Sequence, residues 1–600
     1  MCRMKQPSST AGTTTSANID RQEAALPKEA VCAMALQPER LAQPTSTPPN
    51  IVYFVTDDQD QMLGASFPTM APNGATPLPK VKALMADGGA QLENMFIHVP
   101  ICNPSRSTTL TGRYFHNIKT TNSTWGAMHC DMDKVHNHSF AVRLQKKGYT
   151  LGLFGKYLNA MPGNAWNVSK PDAFVPAGWS AWYANDGGSY IASGFATSGL
   201  KEAAGIEDGA IQLDNSPANY STSAIGNVSM AWIRHTVKMN KGPFFAYIAP
   251  KAAHEPFDPA PWYVDAWDPS WPTHEPRPVN WNCSTEQRRD HAGVVATQPM
   301  LSAEAADVVT GVFKNRWRTL MSVDDLISDV VHLVETELGL ADSTYFLYSS
   351  DHGFQLGQFN ILMDKRHVYD WTTRIHLLVR GPGIAPGTRI AQPATNVDLA
   401  PTFLHLAEPS ACDAAGRCVG GSASAHANAT APLDGRSLVP LLFASSRAAA
   451  AASWRREAYI EYYFNDANIK CVDNCSSNPG QRAYPTRDAD CTELVSEPND
   501  VCWGPVCDTG CYPTEDDNNN FIGIRKVGGA GDGTLYAEYQ EGSQSKVDID
   551  FSAPTFYELF NAKNDTWLMT NLHATADAGT KTALHADLHA WYGCVGATCP

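Results

Sequence analysis

The chain alternates between short, fully apolar runs and longer stretches in which apolar residues return every third or fourth position. Residues 51–55, 151–154, 244–249 and 345–348 are unbroken apolar runs rich in β-branched and aromatic side chains. Runs of this length and content suit strands buried on both faces of a parallel sheet. A further strand is predicted over 375–383. Helical periodicity is clearest over 318–338, where Leu320, Val323, Leu326, Ile327, Val330, Val331 and Val334 fall on one stripe and Gly339 ends it. A shorter helix is predicted to open at Cys102, because Pro104 is tolerated in a first turn and Gly112 suits a helix end. Others close at Lys147-Gly148 and open at 397–402. Beyond 455 the pattern changes to alternation over 458–464, 521–527, 534–539 and 555–560, as in an antiparallel sheet, with a covering helix near 577–592.

This sets the organisation. Residues 1–48, rich in Ser, Thr, Pro and Ala without periodicity, read as a disordered or targeting segment. The apolar strands and helices of 49–450 form the main domain, and 451–600 a second one carrying a Cys-rich insertion at 471–511. The boundary is placed near 450, after an Ala/Ser/Gly-rich stretch. Residues 258–300, rich in Trp, Pro and His, read as a long loop at the edge of a site, where loops shape specificity.

With 600 residues and 43% hydrophobic content the chain can bury sizeable cores. A net charge of −16 argues against a general nucleic-acid binder. No apolar run approaches the roughly 18 residues of a membrane span. Nine Asn-x-Ser/Thr sequons, at Asn122, Asn137, Asn167, Asn219, Asn227, Asn282, Asn428, Asn474 and Asn564, are candidate glycosylation sites. Of fifteen Cys, twelve remain once Cys102 and the two N-terminal ones are set aside, an even number as in a disulfide framework. The spacing in 471–511 lacks the paired Cys-x-x-Cys rhythm of a zinc knot, which favours disulfides. These features point to the secretory pathway (extracellular space, cell wall or a lysosome-like compartment), although no secretory h-region is evident near the start.

Several polar residues stand where the predicted strands end. Asp57-Asp58 follows the first run; adjacent carboxylates repel, so a divalent cation is one use for them and a solvated turn the other. Lys156 closes the second run, His254 follows the third before Glu255-Pro256, and Asp351-His352 follows the fourth. Taken singly, Lys156 reads as a surface lysine, and His254 could equally be a turn residue or a site residue. Cys102 sits at a helix start, where unpaired N–H groups and the dipole attract anions, and Arg106 falls one turn on. A lone Cys is otherwise an ordinary core residue.

The segment Cys102-Asn103-Pro104-Ser105-Arg106, continued by Leu110-Thr111-Gly112-Arg113, resembles the signature of the type I sulfatases. In that family the Cys is converted to formylglycine, whose hydrate offers one hydroxyl to attack sulfur and a second whose deprotonation expels sulfate. The resemblance spans about 49–405. It implies a three-layer α/β/α sandwich with a large mixed sheet, plus a smaller C-terminal α+β domain with an antiparallel sheet. It implies one calcium ion held by Asp57, Asp58, Cys102, Asp351 and His352, and a catalytic set of Cys102, Arg106, Lys156, His254 and Lys365. In this set Lys156 and Lys365 contact the sulfate and His254 protonates the leaving oxygen. The Lys-Tyr-Leu-Asn and Asp-His variants at 156–159 and 351–352 look like the glucosamine-6-sulfatase and algal arylsulfatase branch, and His352 could touch the sulfate rather than the ion. The implied partners are a sulfated small molecule or glycan and a formylglycine-generating enzyme. The rival readings are a phosphodiesterase or phosphonate hydrolase of the same superfamily and an inactive carbohydrate-binding relative.

Overall fold

A computed structural model describes residues 48–61, 74–121, 128–159, 175–185, 187–298, 300–301, 303–418, 431–464, 518–542 and 549–600, with three short strands at 482–484, 494–496 and 504–505. The sequons at Asn122, Asn167, Asn428 and Asn474, the segment 1–47 and most of the Cys-rich insertion lie outside these residues.

The apolar runs form the middle of a ten-stranded mixed sheet. Its strands are β1 (Asn50–Thr56), β2 (Ala90–Phe96), β3 (Thr150–Lys156), β4 (Ala181–Asn185), β5 (Gly194–Ser198), β6 (Gly209–Gln212), β7 (Phe244–Ala249), β8 (Thr344–Ser350), β9 (Arg374–Arg380) and β10 (Thr388–Thr395). They lie in the order β10-β2-β9-β8-β1-β7-β3-β4-β5-β6. The neighbours β8, β1, β7 and β3 are mutually parallel. Their C-terminal ends therefore share one edge, which is where open sheets of this kind bind ligands.

Side chains of β1 alternate between two cores. Ile51, Tyr53 and Val55 pack into one with Leu110, Phe403 and the C-terminal strands; Val52 and Phe54 pack into the other with Ile233, Leu326 and Val330. That alternation makes the three layers: helices α1 (Cys102–Thr111) and α4 (Leu399–Ala407) cover one face, and α2 (Ser221–Lys238) and α3 (Ala303–His332) the other. The predicted helix over 318–338 begins fifteen residues earlier, at Ala303, and ends in a π-turn over Leu333–Glu337. Its first half keeps helical spacing through Val308, Val309, Val312, Phe313 and Trp317, which pack with Phe257, Leu356 and Leu362 in a separate cluster.

The predicted C-terminal sheet is antiparallel, in the order β11 (Glu457–Tyr462), β12 (Phe521–Lys526), β13 (Thr534–Tyr539) and β14 (Phe556–Asn561). Helix α5 (Ala578–Tyr592) covers it through Leu584, Leu588 and Trp591. Disulfides link Cys412 to Cys418 and Cys594 to Cys599. The expected even framework does not extend to Cys130 and Cys283, which are buried free thiols. Cys130 is buried beside Ser107 and Asn103, whose side chains hydrogen-bond its thiol. No described helix is long and apolar enough to cross a membrane.

Candidate active site

Each strand of the parallel quartet delivers polar side chains to the shared edge. Asp57 and Asp58 follow β1, Lys156 is the last residue of β3, His254 lies in the loop after β7, and Asp351 and His352 follow β8. Asp58 adopts φ 60°, a left-handed conformation that Asp tolerates better than most residues. This turns the chain so that the Asp58 backbone N–H donates to Asp351 Oδ1 at 3.2 Å.

Helix α1 brings Cys102 to the same edge. Ile101 caps it without a side-chain hydrogen bond, so the first backbone N–H groups and the positive dipole end lie beside Cys102. The helix is fixed by Asn396, whose amide donates to Ser105 O at 2.9 Å, Thr108 Oγ1 at 2.9 Å and Thr109 Oγ1 at 3.1 Å. Arg106 reaches back under the site: Nε donates to Asp351 Oδ2 at 2.9 Å and Nη1 to Lys156 O at 3.0 Å.

The centre is crowded with charge. Cys102 Sγ lies 3.2 Å from His352 Nε2 and 3.7 Å from Asp57 Oδ1. The Lys156 ammonium pairs with Asp57 Oδ2, and Lys365 Nζ with Asp58 Oδ1 at 2.8 Å. His352 Nδ1 lies 3.0 Å from Gly353 O and 3.2 Å from Asp58 Oδ1. Two oxygen acceptors on that nitrogen require it to carry a proton, which leaves Nε2 as the atom facing Cys102. His254 Nε2 stands 3.8 Å from Asp58 Oδ2, with a side chain 18% exposed where its neighbours are almost wholly buried. It therefore sits at the mouth. Tyr190 fixes it by donating its hydroxyl to His254 O at 2.8 Å.

These contacts set the ionisation. Burial alone would raise Asp57 and Asp58, but Lys156 and His254 for the first, and Lys365 and His254 for the second, hold both below the usual carboxylate range. Asp351 is instead pushed up to about 6 by burial and the charge of Asp57. Burial and Asp57 push the Cys102 thiol up, and Lys156, Lys365 and His352 more than reverse this, so it lies well below its ordinary value. Atoms of Asp57, Cys102, Asp351 and His352 fall within 4.8 Å of one another, and so do atoms of Asp57, Asp58 and His254. Hard carboxylate oxygens gathered without exposure to water are a donor set that a divalent cation satisfies.

All nine predicted site residues thus converge. Two further contributors were not read from the sequence. Arg316 donates to Asp58 O and lies 3.3 Å from Asp60 Oδ2, with its guanidinium over the Phe354 ring at 4.9 Å. Its signal was available: Arg316 lies on the buried stripe of α3 between Val312 and Leu320, where an unpaired charge would be costly. Asn396 precedes the predicted helix over 397–402 and offered no such mark. The loop over 258–300 packs its Asn280–Asn282 segment against the turn after His352, with Phe359 N–H donating to Asn280 O at 2.6 Å and Trp281 Nε1 to Leu356 O at 3.0 Å. Of the described sequons, Asn137, Asn227 and Asn564 are exposed and Asn219 is half-buried, while the amide of Asn282 both donates to and accepts from Leu301.

A family model described as Sulfatase matches residues 49–409. The chain belongs to the sulfatase family. It is similar to N-acetylglucosamine-6-sulfatase of Homo sapiens, 30% identical over 92% of this chain and 86% of that protein. It is similar also to an arylsulfatase of Volvox carteri, 28% identical over 60% of this chain and 55% of the other. A solved structure in complex with its substrate D-glucosamine-2-N,6-O-disulfate shares the fold, with a TM-score of 0.58, 20% identity and coverage of 90% of this chain and 97% of that one. The phosphonate monoester hydrolase of Agrobacterium radiobacter shares it too, with a TM-score of 0.56 and 17% identity over 90% of this chain and 94% of the other. This sulfatase is therefore a sulfuric ester hydrolase, built on the α/β sandwich and antiparallel sheet described above.

Proposed function

We propose that this sulfatase hydrolyses 6-sulfated glucosamine units, free or in a glycan, with residue 102 converted to formylglycine as the nucleophile-bearing group. The observation that carries this reading is the convergence of Cys102, Lys156, Lys365 and His352 on one buried point beside three carboxylates. The substrate class is supported by the similarity to N-acetylglucosamine-6-sulfatase over nearly the whole chain.

In this reading Lys156 and Lys365 neutralise the sulfate oxygens, and their pairing with Asp57 and Asp58 keeps both ammonium groups charged in the buried site. Arg106 holds Asp351 and the end of β3 in place. His352, with Nε2 turned to residue 102, binds the sulfate or the nucleophile rather than serving only as an ion ligand. His254 at the mouth protonates the departing alcohol oxygen. Formylglycine hydrate would supply one hydroxyl to attack sulfur as the alcohol departs, and a second whose deprotonation would break the C–O bond to the bound sulfate and restore the aldehyde. One calcium ion would be held by Asp57, Asp58 and Asp351 with residue 102 and His352, and would withdraw charge from the sulfate. A bound cation would offset the burial and the Asp57 charge that push Asp351 up. Maturation requires a formylglycine-generating enzyme, and the exposed sequons at Asn137, Asn227 and Asn564 suit a secretory protein.

The test is a panel of 6-sulfated glucosamine, an aryl sulfate and a phosphonate monoester, with mass analysis of the peptide containing residue 102. Formylglycine and preference for the sulfated sugar are expected; unmodified Cys in a fully active preparation, or preference for the phosphonate, overturns the reading. Exhaustive chelation should abolish turnover, and added Ca²⁺ should restore it.

A further inference from the structure

A second cluster of metal-binding side chains lies in the C-terminal sheet, away from the catalytic edge. Glu538 is on β13, its carboxylate fully buried beneath α5. Its Oε1 accepts from Tyr536 Oη at 2.7 Å and faces His585 Nδ1 at 2.8 Å; its Oε2 faces His589 Nε2 at 2.9 Å. His585 and His589 are four residues apart on α5, so they occupy one face of the helix, and their rings stand 4.0 Å apart. One ligand atom from each of Glu538, His585 and His589 falls within 4.8 Å of the others.

We propose that Glu538, His585 and His589 form a transition-metal site of the zinc class, distinct from the calcium site of the catalytic centre. Tetrahedral zinc with bonds of about 2.0–2.1 Å separates its ligand atoms by about 3.3 Å. The two Glu538–imidazole contacts, made through different carboxylate oxygens, would open by about half an ångström, and the carboxylate would turn to present one oxygen to both rings. The donors are two imidazole nitrogens and a carboxylate oxygen, a set that suits Zn²⁺ and disfavours Ca²⁺, which takes six to eight oxygens. His585 is 45% exposed and His589 26%, so an ion can arrive from solvent and keep a water in the fourth position. Tyr536, bonded to the same carboxylate, orients it as outer partners of metal ligands do. The bound ion would join β13 to α5, which is also anchored by Trp591 Nε1 to Glu457 Oε2 at 3.0 Å, Lys526 Nζ to Asp587 Oδ2 at 2.5 Å and Tyr592 Oη to Ile549 O at 2.9 Å.

The competing account is a buried carboxylate clamped by two histidines with no ion at all. Zinc titration of the full-length, calcium-loaded protein separates the two. His589→Gln keeps a donor for Glu538 but removes a ligand, so the helix stays anchored while the site is lost. Wild type should bind one more equivalent of Zn²⁺ than His589→Gln, and zinc should raise the melting temperature of wild type alone. Loss of an outer partner alone costs about 10–100-fold in affinity, so loss of a ligand should exceed that. Co²⁺ in place of Zn²⁺ should give the visible absorption of a tetrahedral site in wild type and not in the variant. Equal zinc stoichiometry in wild type and variant overturns the proposal. If His589→Gln fails to fold, His585→Ala, which alters the more exposed ring, is read the same way. Sulfate ester turnover is unaffected in either variant, so this test is independent of the catalytic reading.

Discussion

Buried carboxylates occur in two places in this molecule, and they are treated in opposite ways. At the sheet edge, Asp57, Asp58 and Asp351 crowd one another, share Lys156, Lys365 and Arg106, and diverge in ionisation, Asp57 held low and Asp351 pushed up. In the C-terminal sheet each glutamate stands apart among its own donors. Glu558 accepts from Tyr369 and Tyr539 hydroxyls at 2.9 and 2.8 Å and from the Ala292 N–H at 2.8 Å. Glu461 faces His98 Nε2 at 2.8 Å and His116 Nδ1 at 3.1 Å. Burial of a carboxylate therefore does not by itself mark chemistry. What marks it is several of them crowded with lysines and an arginine around one point at the sheet edge.

The comparison breaks most sharply on residue 102. Cys102→Ala removes the reacting group but no essential core contact, so turnover should fall at least about 10⁴-fold, beyond what a proton-transfer residue supplies, while the melting temperature hardly moves. A melting temperature that collapses along with activity would mean that the site also holds the fold together. His254→Ala should separate substrates. A sugar alcohol leaves as a strongly basic alkoxide and needs the proton, whereas an aryl oxide does not. The loss in kcat/KM should be about 10²–10⁴-fold larger for the sugar sulfate than for the aryl sulfate. Equal losses would move the acid to His352 or Lys365.

The C-terminal glutamates should show the reverse behaviour. Glu558→Ala strands two tyrosine hydroxyls and a backbone N–H, each costing about 1–3 kcal/mol when buried without a partner. We expect a total of about 3 kcal/mol after relaxation, read as a shifted denaturation midpoint, with kcat per folded molecule unchanged. A loss of kcat at full folding would show that this sheet takes part in catalysis.

The catalytic edge was legible in the sequence because strands buried on both faces leave polar residues only at their ends. Asp57, Lys156, His254 and Asp351 each follow an apolar run directly or within a few residues, so pattern and site coincide. Their roles, like those of Cys102 and Lys365, came from the motif resemblance; a helix start and a loop do not carry even the strand-end mark. Arg316 escapes the sequence pattern because the periodicity marks the helix only from Arg318, two residues short of showing a charge on the buried stripe. The glutamates were missed for a different reason. In β13 the alternation places Glu538 opposite Leu535 and Ala537, which reads as the solvent face. That face is covered by α5, and local periodicity cannot report what a distant helix will cover.

The smallest expected effect is a pH dependence of stability carried by Glu461 and His116. His116 Nδ1 faces Glu461 Oε1 and its Nε2 faces Cys594 O at 2.8 Å, an acceptor pair that only the doubly protonated ring satisfies. Burial opposes that charge, but Glu461 outweighs it and raises His116 above its ordinary 6.5. Burial likewise opposes the Glu461 charge, and His116 and His98 hold it well below its ordinary 4.5. The signs follow from linkage. The His116 contribution is fully present below 6.5 and is lost as pH rises through its raised value; the Glu461 contribution is present above 4.5 and is lost as pH falls through its lowered one. Full stabilisation therefore lies between those two values. Above 6.5 the wild type should lose at most about 1.4 kcal/mol per pH unit from this interaction. His116→Gln cannot titrate, so melting temperatures of the two proteins should converge between pH 6 and pH 8, with groups elsewhere cancelling in the difference. Curves that stay parallel over that range would mean that His116 is neutral in the folded protein and that the Glu461 carboxylate is held by its other partners.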